Sequence, residues 1–372
     1  MLPHFHTLYL ESTRRCNLDC PYCSTDSNST RTSEGELSFK EILHNIFEPA
    51  REIGTKHITF SGGEFLIRKD AFKLLDIANQ MGFRISVVSN GTTLNMKVLN
   101  KLQSLLGDNI FISLGINSFE ARNKETRNKD INFTLKKIKM IQSLGIRINI
   151  SVTMGMFNSE DFGDTLEHIR KMGLPFNRIP FVIRGRNAPH LIPDKETMKN
   201  KFHAALRETF HGCVSYTPFF LDPKTYFETS GQSEEANSVP TNPSIGCWCG
   251  SFYAINSEGD VSVCPLLLDH VSGGNVLDQN LESILNKSEL FQKVVNRENL
   301  EGNCGKCKYR FTCGGCRALA FYKNGNTFGE DPTCFLDDLS PQELSVIEAE
   351  TQKSFKNYTR MATIANSYYC PF

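Results

Sequence analysis

The sequence predicts an α/β protein, a largely parallel sheet followed by a small cysteine-rich region. Three observations carry this. Over residues 1–212 short apolar, β-rich runs alternate with amphipathic stretches that tend to end at glycine. Such alternation calls for parallel strands joined by right-handed helical crossovers. Beyond residue 245 the pattern gives way to closely spaced cysteines with only short strand signals, a composition that needs staples to fold.

The first strand is "FHTLYLE" (5–11), followed by a helix over "FKEILHNIFEPAREIG" (39–54). "KHITFSGGE" (56–64) runs into a glycine turn, and "AFKLLDIANQMG" (71–82) is the second helix. "RISVVSNGT" (84–92) leads to "LNMKVLNKLQSLLG" (94–107), and "NIFISLG" (109–115) to a helix through "LKKIKMIQSLG" (135–145). "RINISVTM" (147–154) precedes "SEDFGDTLEHIRKMG" (159–173), and "FNRIPFVI" (176–183) precedes "DKETMKNKFHAALRETFHG" (194–212). Six such units form either an open doubly wound sheet or a curved, partly closed barrel. Both place functional groups at the C-terminal strand ends. Residues 213–245, rich in Ser, Asn, Pro and Gly, read as a linker. Residues 246–336 form the cysteine-rich domain, with a hairpin about Glu258 and Gly259, and residues 337–372 a terminal helix and tail.

Lys+Arg and Asp+Glu both number 41 in 372 residues, so no basic excess points to nucleic acid. No apolar run reaches the ~20 residues of a membrane span. The N-terminus has no basic region followed by an apolar core, so a cytoplasmic protein is expected. A reducing compartment would keep the 13 cysteines from pairing as disulfides, and clustered soft thiolates select zinc, copper(I) or iron–sulfur clusters. Cys16, Cys20 and Cys23 lie on one loop after the first strand. Three thiols suit neither a closed disulfide framework nor a four-ligand zinc site. Either a fourth ligand comes from elsewhere or one position stays open for chemistry; the compact triple favours an iron–sulfur cluster with one open iron.

The loop "CNLDCPYC" resembles the defining Cys-x3-Cys-x-aromatic-Cys loop of the radical S-adenosylmethionine (SAM) family, with Tyr22 in the aromatic place. "SGGE" (61–64) resembles the family's Gly-Gly-Glu motif. Glycines at 62 and 63 let backbone approach a ligand, and Glu64 can accept from the methionine ammonium. In "VVSNGT" the resemblance makes Ser89 and Asn90 contacts of the SAM ribose or methionine, the alternative being an Asn-Gly turn. In "ISLGINSFEARNKETRN" Ser113 and Arg127 match the family pattern, Arg127 as a SAM-carboxylate contact, while Gly115 replaces the usual Asp. The resemblance covers residues 6–185 and implies a partial (β/α)6 barrel.

The later cysteines resemble the SPASM extension of that family, which normally binds two auxiliary [4Fe–4S] clusters. The resemblance implies Cys264, Cys316 and Cys247 and/or Cys249 for the first, and Cys304, Cys307, Cys313 and Cys334 for the second. The Cys313–Cys316 gap is one residue shorter than the commonest form. A zinc ribbon is the alternative for residues 304–316. Cys213 and Cys370 match nothing and read as small hydrophobes.

The implied activity is reductive cleavage of SAM at the Cys16/Cys20/Cys23 cluster, giving a 5′-deoxyadenosyl radical that abstracts a substrate hydrogen atom. The electron would come from an external flavodoxin- or ferredoxin-type donor. The expected substrate is a ribosomally made peptide to be oxidised, crosslinked or epimerised. Alternatives are a sugar or aminocyclitol to be dehydrogenated or epimerised, or a tetrapyrrole to be modified. Another class of reading is a non-catalytic electron carrier or zinc-stapled binding module. A start directly at strand one leaves no room for an N-terminal peptide-recognition domain, and Pro265 stands where sulfatase maturases commonly carry Asp. Arg184 and Arg186, at the sixth strand end, fit either a carboxylate or phosphate clamp or solvated loop charges.

Overall fold

The computed structural model describes residues 5–186, 188–208, 216–230 and 245–365. Strands β1 (Thr7–Glu11), β2 (His57–Ser61), β3 (Arg84–Ser89), β4 (Ile110–Gly115), β5 (Arg147–Met154) and β6 (Phe176–Pro180) pair in parallel, each with the next. All six fall where the apolar runs predict them. Helices Ala71–Gln80, Met96–Leu106, Ile131–Gln142 and Phe162–Lys171 alternate with them. Each buries a stripe at helical spacing, such as Leu99, Leu102 and Leu106. Asn95 and Asp130 start two of them by accepting from Val98 N and Phe133 N.

The first helical stretch, 39–52, opens on a Ser38–Glu41 capping box but contains a π-turn over Ile42–Phe47. The sequence reads there as one regular helix. Pro49 follows, and a wider turn accommodates a residue with no N–H to donate.

The strands are two-sided. Ile112 and Leu114 on β4 and Ile148, Ile150 and Val152 on β5 belong to the main core. The alternate positions carry Ser113, Asn149 and Ser151, and the register pairs Ser113 with Asn149 and Ser151 with Asn177. One face of the sheet is therefore apolar and the other carries a polar row.

The cysteine-rich region is less separate than its sequence suggests. Its hairpin forms as expected, β7 (Phe252–Ile255) with β8 (Asp260–Ser262), but β7 also pairs in parallel with β1. The result is one nine-stranded sheet ordered β6-β5-β4-β3-β2-β1-β7-β8-β9, with β9 at Gly274–Asn275. β1 would otherwise be an apolar edge strand, and all four β7 residues are buried against it.

Within the stretch read as a linker, Phe219, Phe220 and Leu221 are buried and Pro223–Ser230 is helical. The terminal helix runs over Pro341–Ala365, and its Phe355 stacks on Tyr226 with ring centroids 5.7 Å apart. Cys213 and Cys370 lie outside the described residues. Among the described residues no helix is long and apolar enough to cross a membrane.

Candidate active site between two cysteine sets

Cys16, Cys20 and Cys23 all line one cavity of about 350 Å³ at the C-terminal strand ends. Their loop is fixed by its neighbours. Cys16 N donates to Asn28 O at 3.0 Å, and Arg186 N to Cys23 O at 3.0 Å. Asn90 Nδ2 approaches Cys16 Sγ at 3.5 Å and Ser27 N approaches Cys23 Sγ at 3.4 Å. Burial pushes the Cys16 and Cys20 thiols up, while the Arg127 charge opposes this at Cys20.

The glycine pair after β2 serves the chain itself. Gly63 N donates to Thr13 O at 2.7 Å and Glu64 N to Arg15 O at 2.9 Å, docking the root of the cysteine loop on the turn. A Cβ at either glycine would come within 2.1 Å of those carbonyls, and Gly62 has φ of +121°. Both glycines line the cavity. Glu64 does not; it is fully buried, accepting from Ser89 Oγ (2.8 Å), Asn90 N (2.8 Å) and Thr93 Oγ1 (3.0 Å). Burial raises its pKa against those three bonds. Ser89 and Asn90 line the cavity, so β2 and β3 meet there through Glu64.

Tyr22 lines the cavity and stacks on Phe157 (5.5 Å, 10° between planes), with Phe181 edge-on at 6.2 Å. Arg127 lines it too, its guanidinium filling the space above Gly115. A Cβ at 115 would lie 1.5 Å from Arg127 Nη2, so the guanidinium as placed here uses the space that a side chain at 115 would take. Ser113 sits in the polar row, 2.8 Å from Ser151 Oγ, and does not line the cavity. Ser151, Thr153 and Asn177 line it instead.

Cys247, Cys249, Cys264 and Cys316 line the same cavity. The Cys249 thiol donates to Cys247, whose pKa is thereby lowered against burial, with Arg317 and Arg297 beside it helping. Cys249 also contacts Cys264, and Cys316 faces Cys247 and Cys264, so both thiols of "CWC" join one group of four. Cys304, Cys307, Cys313 and Cys334 line a second cavity of about 460 Å³. Their sulfurs take N–H contacts from Asp331 (3.4 Å), Tyr309 (3.4 Å) and Phe219 (3.2 Å). The eleven cysteines are unpaired. Among the described residues no three Cys, His, Asp or Glu side chains close on a single ion. Thiols spread around a cavity, with N–H groups aimed at sulfur, fit a multinuclear iron–sulfur cluster.

Two family models match the chain: "Radical SAM superfamily" over residues 10–171, and SPASM, "Iron-sulfur cluster-binding domain", over residues 247–308. The chain belongs to the radical SAM superfamily and carries a SPASM domain. An AdoMet-dependent heme synthase of Methanosarcina barkeri is 28% identical, over 87% of this chain and 94% of the relative. A PqqA peptide cyclase of Gluconobacter oxydans is 23% identical, over 96% of this chain and 98% of the relative. Among solved structures, Streptococcus suis SuiB bound to precursor peptide SuiA aligns with TM-score 0.64 at 15% identity, over 90% of this chain and 77% of that chain. anSMEcpe with bound AdoMet aligns with TM-score 0.62 at 15% identity, over 97% and 99%.

The two arginines of the sixth strand end are structural in this radical SAM fold. Arg184 is 2% exposed and grips Glu11 through both oxygens (2.6 and 2.8 Å), with Asp269 and the carbonyls of Pro265 and Leu268 around it. Arg186 donates to the carbonyls of Cys20 and Ser27 and pairs with Asp19. The clamp reading of Arg184 is thereby corrected: its donors are spent. A sequence cannot show which distant carboxylate an arginine will meet.

Proposed function

We propose that this radical SAM/SPASM enzyme cleaves SAM at the Cys16/Cys20/Cys23 site and oxidises, crosslinks or epimerises a ribosomally made peptide held between that site and the first auxiliary set. The observation that carries this reading is the shared cavity, lined both by the three-cysteine loop and by Cys247, Cys249, Cys264 and Cys316. When bound, the cluster and SAM supply a 5′-deoxyadenosyl radical that takes a hydrogen atom from substrate. The chain's own groups do the rest. Gly62, Gly63, Ser89 and Asn90 present backbone and polar contacts to SAM, and Glu64 holds that wall together. Arg127, beside the loop, offers a cation to the SAM carboxylate. Tyr22, Phe157 and Phe181 give an apolar flank that keeps water from a reactive intermediate. The auxiliary sites hold two [4Fe–4S] clusters, and an external one-electron carrier serves the enzyme. The PqqA peptide cyclases support a peptide substrate.

A second reading, modification of a tetrapyrrole, is favoured by the 25–28% identity to three heme synthases along most of their length. One experiment tests the activity and the choice. Anaerobically reconstituted enzyme is given SAM and dithionite, and 5′-deoxyadenosine is quantified alone, with short peptides encoded beside the gene, and with porphyrins bearing propionates. The peptide reading expects a peptide mass lowered by two hydrogens, or deuterium uptake from heavy water; loss of carbon dioxide from a porphyrin instead would replace it. Replacing Cys16, Cys20 and Cys23 together by Ala should abolish 5′-deoxyadenosine while auxiliary iron stays. Turnover by that variant would sink the assignment.

A further inference from the structure

The two auxiliary cysteine sets meet at the turn Cys313-Gly314-Gly315-Cys316, which carries a cysteine of one set at each end. Two buried arginines close around it. Arg317, 2% exposed, donates through Nη1 to Thr327 O (3.1 Å) and Gly329 O (2.6 Å) and through Nε to Gly315 O (3.1 Å). Its Nη2 points at Cys304 Sγ, 3.6 Å away. Arg297, 7% exposed, donates to the carbonyls of Phe311 and Cys247. Each arginine faces thiols of both sets: Arg317 faces Cys304, Cys247 and Cys249, and Arg297 faces Cys247, Cys249 and Cys313.

The two glycines of the turn make this approach possible. Gly314 and Gly315 have φ of +74° and +57°. A Cβ at 314 would lie 2.8 Å from the Arg297 guanidinium carbon. A Cβ at 315 would lie 2.6 Å from Arg317 Nη2 and 2.9 Å from Cys304 Sγ. The opposing charge beside them is Asp331, whose carboxylate accepts from Cys316 N (2.7 Å) and from Thr333 N and Oγ1. Lys293, at the rim, is paired with Glu289 at 2.6 Å. Two fixed cations thus stand against one fixed anion between the two sites.

We propose that Arg297 and Arg317 are a shared electrostatic control on both auxiliary clusters, raising their reduction potentials. This rests on the reading that the auxiliary sites hold iron–sulfur clusters. Reduction adds one negative charge to a thiolate-bound cluster. A guanidinium a few ångströms away in a poorly screened interior stabilises that charge, as do N–H donors to the sulfurs. The equilibrium between oxidised and one-electron-reduced cluster shifts, with no ligand changed.

The test is a dithionite titration of the reconstituted holoenzyme followed by EPR, with iron counted, in the parent and in R297Q, R317Q, R297K, R317K and D331N. The glutamine variants should keep their iron and lower the auxiliary midpoints by at least 59 mV, a tenfold change in the one-electron equilibrium. The radical SAM cluster should stay unmoved. The lysine variants, which keep the charge but lose the fork, should stay near the parent, and D331N should raise both midpoints. A parent holding only about four irons would end the auxiliary-cluster reading itself. Full iron with unmoved midpoints in the glutamine variants, or an equal fall in the lysine variants, would overturn the proposal. Should the glutamine variants fail to load, D331N decides: a midpoint that does not rise counts against it.

Discussion

Gly115 and Arg127 occupy one another's space, which makes them the sharpest single-residue test of the SAM site. Restoring the family's aspartate as Gly115→Asp puts a Cβ where Arg127 Nη2 now lies, 1.5 Å away. The guanidinium must shift from its present place, and a carboxylate then faces a loop of thiolates. We expect SAM affinity to fall more than tenfold, about 1.4 kcal/mol, with iron content unchanged. Equilibrium binding of SAM to the loaded enzyme checks this, and parental affinity would remove Arg127 from the site. The sequence shows the missing aspartate but not its consequence, because which side chain fills a vacancy depends on the path of residues 116–127. The three-cysteine loop is legible because its spacing is local, whereas the two later sets interleave along the chain and rest on the resemblance alone. Ser113 shares the polar row with Ser151 and Asn177, but the latter two line the cavity, a difference that spacing along one strand does not show.

At the level of elements, β1 is the hinge between the two cysteine domains. It carries β2 on one edge and β7 on the other, and its last residue, Glu11, is tied to Arg184 beyond β6 and through it to Asp269 after Cys264. Asp269 also pairs with Arg14 at the root of the cysteine loop. The periodicity of residues 1–212 reveals the barrel strands, and the Glu258-Gly259 turn reveals the hairpin. The β1–β7 pairing bridges some 240 residues of sequence with no local signal to announce it. Arg184→Met should leave Glu11 buried without its partner and cost about 3–5 kcal/mol of stability. Denaturant unfolding of the loaded enzyme measures the loss. A change within about 0.5 kcal/mol would mean that the pair contributes little beyond its own desolvation.

Across the whole molecule, two histidines, His203 buried and His57 half-buried, set a pH limit independent of the clusters. His57 sits in the sheet with Nε2 2.7 Å from Ser86 Oγ; burial, aided by the Arg84 charge, lowers its pKa to about 4. His203 lies among the rings of Phe335, Phe220 and Tyr216, with Nε2 bonded to nothing among the described residues. Burial first, then the charges of Arg207 and Arg178, lowers it to about 3. Unfolded histidine titrates near pH ~6.5. Above that value both states are neutral and pH has no effect through these groups. As pH falls below it, the unfolded chain binds two protons that the folded chain refuses, until the folded values near 4 and 3 are reached. Stability should therefore fall as pH drops from ~6 to ~4, by at most about 3 kcal/mol per pH unit where the unfolded chain holds both protons and the folded chain neither. His203→Phe keeps an aromatic ring in the cage and removes one of the two protons. Its loss of stability between pH ~6.5 and ~5 should be about half that of the parent. Denaturant midpoints at both pH values, with iron counted alongside so that cluster loss is separated from protein unfolding, supply the comparison. An undiminished slope in His203→Phe would assign acid sensitivity elsewhere, to the thiolate ligands first.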